Sequence, residues 1–162
     1  MKYSVLVFSV CALPALADVN IVGNVAAKCI IQTDTSGVYG NPTATKLSTL
    51  PADGGVVPIV RYDVAVANYY TAKITHPSAF SSSPSLSDTV AWTGASSVAQ
   101  TSVAGMAAYD AAKVVYGSTT NFNLTIAGST WFKTASTATY GVSKAFPGGS
   151  YTAIVQAECI AN

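Results

Sequence analysis

Ile59-Val60-Arg61-Tyr62-Asp63-Val64-Ala65-Val66 puts Val60, Tyr62, Val64 and Val66 on one side and Arg61 and Asp63 on the other. A period of two is the mark of a strand with one buried face. The same period recurs on both sides of this stretch. Tyr70, Ala72 and Ile74 continue it in a second strand, which His76-Pro77 ends. Phe122, Leu124 and Ile126 oppose Asn121, Asn123 and Thr125. Tyr151, Ala153, Val155, Ala157 and Cys159 share a face opposite Gln156 and Glu158. Toward the N-terminus, Val19, Ile21, Gly23, Val25, Ala27, Cys29 and Ile31 share a face. Asn20, Asn24 and Lys28 oppose them, with Val22 and Ala26 as exceptions.

Turn residues separate these runs. Ser36-Gly37, Gly40-Asn41-Pro42, Pro51 to Gly55, Ser81 to Ser85 and Pro147-Gly148-Gly149 supply the backbone freedom or fixed φ that turns need. Ser78 to Ser87 reads as an exposed loop, and Thr93 to Val103 carries no decisive pattern. Ala-rich Met106 to Val115 is the best helical candidate. Glu, Lys, Leu and Arg are sparse and Val, Thr and Tyr abundant, which favours strands. The expected fold is all-β, an immunoglobulin-like antiparallel β-sandwich, with a small closed barrel as the alternative.

The chain has 162 residues, enough for one domain. Half of them are hydrophobic, and only 9% are charged, against about 25% in an ordinary globular chain. Disorder driven by charge is thereby excluded. A formal net charge of +1 offers no footprint for nucleic acid or an anionic membrane.

Lys2, the apolar run Val5 to Leu16, and Ala15-Leu16-Ala17 before Asp18 together read as a secretory signal peptide cleaved between Ala17 and Asp18. The apolar run is too short to span a bilayer, which takes roughly 20 residues. The expected organisation is a signal peptide over 1–17, an N-terminal strand over 18–28 and a β-sandwich domain over 29–162. Loss of Lys2 leaves seven basic and seven acidic side chains, and a neutral chain favours association. No second apolar run is long enough to cross a membrane.

Cys11 leaves with the signal peptide. Cys29 and Cys159 stay behind, 130 positions apart. An exported chain meets an oxidising compartment, and an even count suggests pairing. A loop this long is worth about 5 kcal/mol in the chain-entropy account. Two buried free thiols are the alternative. If the cysteines are bonded, the first and last strands are close neighbours.

Catalytic motifs are absent from the sequence. Asp18, Asp34, Asp53, Asp63, Asp88, Asp110 and Glu158 are scattered, and His76 is the sole histidine. Neither a G-x-S-x-G elbow nor a phosphate-binding glycine loop occurs. Two cysteines and one histidine do not make a zinc site. No catalytic residue, metal or cofactor is expected. Trp92, Trp131, Tyr69, Tyr70, Tyr109 and Tyr116 form a stacking platform if they converge. The other reading puts Trp131 and Phe132 in the core with the tyrosines at its edge.

Residues 18–28, directly behind the cleavage site, are either the first strand of the domain or a donor strand for another subunit. A donor strand gains main-chain hydrogen bonds and fills pockets with alternate side chains. A central Gly23 suits a place where a groove narrows.

The succession of signal peptide, alternating strand, Val25-Ala26-Ala27-Lys28-Cys29-Ile30-Ile31 and terminal Gly148-Gly149-Ser150-Tyr151-Thr152-Ala153-Ile154-Val155 resembles bacterial chaperone–usher pilins, especially the spore-coat-U-like archaic type. The likeness covers the two chain ends. It implies an immunoglobulin-like fold completed by strand exchange. A periplasmic chaperone and an outer-membrane usher would be partners alongside like subunits in a homopolymer. Carried over by position, Val19, Ile21, Gly23, Val25 and Ala27 would insert, and the strand from Tyr151 through Ala157 would flank the groove. Pilins of the common type pair cysteines closer in sequence than Cys29 and Cys159.

The expected function is a structural subunit of an extracellular fibre or pilus at the cell surface, passing through the periplasm. The alternative is a self-contained secreted or periplasmic β-sandwich that binds a glycan, ligand or protein through an exposed Trp/Tyr patch. A hydrolase would require His76 or two carboxylates to converge in one pocket.

Overall fold

The computed structural model describes residues 28–141 and 144–162. Among the described residues ten strands form two antiparallel sheets that pack face to face. In chain order they are β1 (Cys29–Thr35), β2 (Gly40–Thr43), β3 (Lys46–Ser48), β4 (Ile59–Val64) and β5 (Tyr70–Thr75). There follow β6 (Val90–Thr101), β7 (Val114–Tyr116), β8 (Thr119–Leu124), β9 (Gly128–Tyr140) and β10 (Gln156–Ala161). The first sheet is built around β9. One edge of β9 pairs with β6 along most of its length. The other edge is shared end to end by β4, followed by β1, and by β3, followed by β2. The second sheet runs β10-β5-β8-β7.

Val60, Tyr62 and Val64 of β4 and Phe132 of the neighbouring β9 face Ala72 and Ile74 of β5 and Phe122 and Leu124 of β8, and all are buried. The alternation read in Ile59 to Val64 is therefore the pleat of a half-buried strand. Val66 is the exception: the strand stops at Val64, and Val66 is exposed in the following turn. Tyr62, Phe122 and Phe132 are fully buried. Their rings meet at 5.6 Å for Tyr62–Phe132 and 4.3 Å for Phe122–Phe132. Such pairs add to the area they bury. The Tyr62 hydroxyl donates to the Glu158 carbonyl at 3.1 Å, tying the first sheet to β10.

Several local expectations change. Trp131 and Phe132 are neighbours in one strand, so a period of two cannot bury both. Phe132 enters the core, while Trp131 lies half-buried on the outer face. There its indole N–H donates to Asp34 at 3.1 Å, and the Arg61 guanidinium stands 5.2 Å from its ring. Gly40-Asn41-Pro42 is not a turn but most of β2. The Asn41 amide bonds the Thr43 and Lys46 carbonyls at 2.8 and 2.9 Å and holds the β2–β3 hairpin. The helical candidate shrinks to a 3-10 turn over Ala104–Ala108 and the single-turn α1 (Tyr109–Ala112), after which β7 begins.

That short helical segment closes one side of the sandwich. It bridges β6 of the first sheet and β8 of the second. Met106 and Tyr109 are buried in the core. The Tyr109 hydroxyl accepts the Ile126 N–H at 3.0 Å, and the Thr130 hydroxyl donates to the Met106 sulfur at 3.3 Å.

Candidate functional site: the open seam between the first and last strands

On the opposite side, β1 and β10 each have one hydrogen-bonded neighbour among the described strands, β4 and β5 respectively. Each is the edge of its own sheet, so a row of backbone N–H and C=O groups faces outward. The two edges face each other. They are joined at one end by the Cys29–Cys159 disulfide, with 6.5 Å between the Cα atoms. Farther along, Thr33 and Thr35 share a cavity with Ala153 and Val155. The two strands therefore run antiparallel to one another, with the cavity between them at the end away from the disulfide.

Burial shows how incomplete this seam is. Cys29 and Ile31 on β1, and Val155, Ala157 and Cys159 on the closing segment, point toward the core but are only half-buried. Val60, Tyr62, Ala72 and Ile74, one strand farther in, are buried. Apolar side chains thus line a gap that neither sheet covers.

The cavity at the far end holds about 330 Å³. Val60, Pro58 and Val155 give it apolar walls, and hydroxyls give it a polar floor. Tyr39 Oη lies 3.2 Å from Ser136 Oγ. The Thr49 hydroxyl donates to the Ser136 carbonyl at 3.3 Å and accepts the Ser136 N–H at 2.9 Å. Burial pushes the Tyr39 phenol above its ordinary pKa, against the opposing hydrogen bond to Ser136. The phenol is neutral at any ordinary pH, so the floor offers hydrogen bonds without charge.

A second aromatic cluster positions the rim. Phe80 packs edge-on against Trp92 at 4.7 Å and Tyr151 at 5.1 Å, and Phe146 stacks on Tyr140 at 5.1 Å. Thr152 bridges to Ser82, and the Tyr151 hydroxyl donates to the Pro147 carbonyl at 2.6 Å. Gly149 adopts φ +146°, and a Cβ there would stand 2.6 Å from Pro84 Cγ, so the turn before Tyr151 requires glycine. Pinned in this way, Ala153 to Val155 run along the cavity mouth outside any strand, with Ile154 60% exposed.

At the other end of the seam, the Lys28 N–H donates to the Tyr70 hydroxyl at 3.4 Å, and the Lys28 carbonyl accepts the Ala65 N–H at 2.9 Å. The residues before Lys28 thus join the domain at the disulfide end. Val19, Ile21, Gly23, Val25 and Ala27, and the cleavage pair Ala17 and Asp18, lie outside the described residues.

The seam brings together Cys29, Cys159, Val155 and Ala157, all named from the sequence. Tyr151 sits apart, in the aromatic cluster. Ordered pairing begins only at Gln156, although the alternation of burial runs unbroken from Tyr151 to Cys159. The cavity floor of Tyr39, Thr49 and Ser136 was invisible to hydrophobic patterning because its residues are polar. Candidates for a single stacking platform disperse: Tyr109 is in the core, Tyr116 is 70% exposed on β7, Trp131 is on the outer face of the first sheet, and Trp92 packs on Phe80. His76 Nδ1 lies 3.1 Å from the Pro77 carbonyl, and its ring packs over Gly94. Among the described residues no three His, Cys, Asp or Glu side chains group as metal ligands, and no helix is long and apolar enough to cross a membrane.

Comparison with protein-family models, curated proteins and solved structures returned no match.

Proposed function

We propose that this chain is an exported structural subunit of an extracellular fibre, assembled by donor-strand complementation between like subunits. The observation that carries the reading is the seam: two strand edges that no described strand pairs flank a half-buried apolar gap with a cavity at its far end. An extended segment with alternating side chains satisfies both needs at once, by main-chain hydrogen bonds along its length and side chains into the gap. Residues 18–27 have that alternation and follow the signal peptide.

Polarity supports the same reading. The N-terminal segment joins at the disulfide end, and the cavity opens at the other. A contact made from one end of a subunit to the opposite end of the next is heterologous, and repeated without closure it yields a filament. Before assembly the open seam would need shielding, the role of a periplasmic chaperone, with an outer-membrane usher for export. A self-contained binding module is the second reading. It draws on the cleft of about 300 Å³ beside Phe80, Leu86, Val90 and Trp92.

Deletion of residues 18–27 tests the proposal. Exported full-length protein should run on unheated, non-reducing gels as a ladder that collapses to one band on boiling, and the deletion should run as monomer. A ladder from the deleted protein would sink strand exchange through this segment. A single monomer band from the full-length protein in both lanes would favour the binding module.

A further inference from the structure

β6 presents a problem that its own sequence does not solve. It is a twelve-residue edge strand, Val90–Thr101, with β9 as its only hydrogen-bonded neighbour among the described strands. Long edges recruit other strands unless they carry charges, proline, a bulge or a cover. Val90-Ala91-Trp92-Thr93-Gly94-Ala95-Ser96-Ser97-Val98-Ala99-Gln100-Thr101 contains no charged residue and no proline. Its pairing with β9 is regular up to Val98, where a bulge interrupts it.

The free edge is instead occupied by two side chains from the short helical segment. Asp110 Oδ1 accepts the Val98 N–H at 3.0 Å. Lys113 Nζ donates to the Ser96 carbonyl at 2.9 Å. These are the outward backbone groups that a neighbouring strand would use. Lys113 and Asp110 also pair with each other at 3.4 Å, and both are only half-buried. An incoming strand would have to break two charge-assisted hydrogen bonds and cover an ion pair, a desolvation cost with no return.

We propose that Asp110 and Lys113 guard the β6 edge against a second copy of this chain, so that two β6 strands cannot join edge to edge. The partner excluded is the same chain, because two antiparallel β6 edges offer each other the regularly paired, uncharged run Thr93 to Val98. The guard is independent of what fills the seam between β1 and β10, and it takes the longest edge strand of either sheet out of competition for pairing.

The test compares the full exported chain, its D110A/K113A variant and D110A/K113A with Thr93→Lys, by light scattering after size exclusion over a range of concentrations. D110A/K113A should show an average mass at least about twice that of the unmodified chain and rising with concentration, because every subunit, single or within a fibre, then carries a self-pairing edge. Adding Thr93→Lys restores a charge to the edge without restoring either hydrogen bond, and should return the mass to that of the unmodified chain. An unchanged mass for D110A/K113A overturns the guard. So does association that Thr93→Lys leaves undiminished, because it would come from unfolding or another surface.

Discussion

The two sides of the sandwich face the same physical task and meet it differently. On one side the chain itself crosses between the sheets: Met106 and Tyr109 fill the core and Asp110 and Lys113 occupy the β6 edge. On the other, β1 and β10 are left with edges that no described strand pairs, half-buried apolar side chains and a single covalent tie. The closed side combines buried side chains with a satisfied β6 edge. Where the sequence supplies a disulfide in place of both, an opening persists that the fold tolerates.

This contrast is open to attack by substitution. The largest effect should follow loss of the tie. The Cys29→Ala/Cys159→Ala variant should lose about 5 kcal/mol in denaturant unfolding, the chain-entropy value for a loop of this length. A loss below about 1 kcal/mol would mean that the open side is held by packing after all. Next, Tyr109→Ala on the closed side should cost about 4 kcal/mol, as expected for an aromatic side chain deleted from a core. Smallest, Val155→Ala on the open side should cost less than about 1 kcal/mol, because its side chain is already partly in water. Equal losses for Tyr109→Ala and Val155→Ala would erase the distinction between the two sides.

How far the sequence disclosed this follows from what fills each strand. β4, β5 and β8 bury Val, Tyr, Ile, Phe and Leu on alternate positions, and their alternation was plain. β9 pairs with three other strands, yet it could not be read. Its inward positions are Thr130, Phe132, Thr134, Ser136, Ala138 and Tyr140, mostly small or hydroxylated. Those hydroxyls belong in the interior because they find partners there: Ser96 Oγ lies 3.1 Å from Thr134 Oγ1, and Tyr39 bonds Ser136. Hydropathy scores a threonine without regard to its partner, so a strand with a polar inner face looks like a loop. β6 was obscured for the same reason, through Gly94 and Ser96. Of the seam, the disulfide and the alternation up to Cys159 were legible. The cavity was not, because its floor combines Tyr39, Thr49 and Ser136 from distant parts of the chain.

The placement of the disulfide also decides how the domain would carry a mechanical load. Among the described residues, only Lys28 precedes the bridge and only Ile160, Ala161 and Asn162 follow it. A pull applied at Lys28 and Asn162 passes from Cys29 to Cys159 through sulfur, and everything enclosed by that loop lies off the line of force. The sheets can therefore be unfolded by heat or denaturant while remaining nearly inextensible under tension. Reduction would remove that limit, and each released residue would add roughly 3.5 Å to the stretched chain.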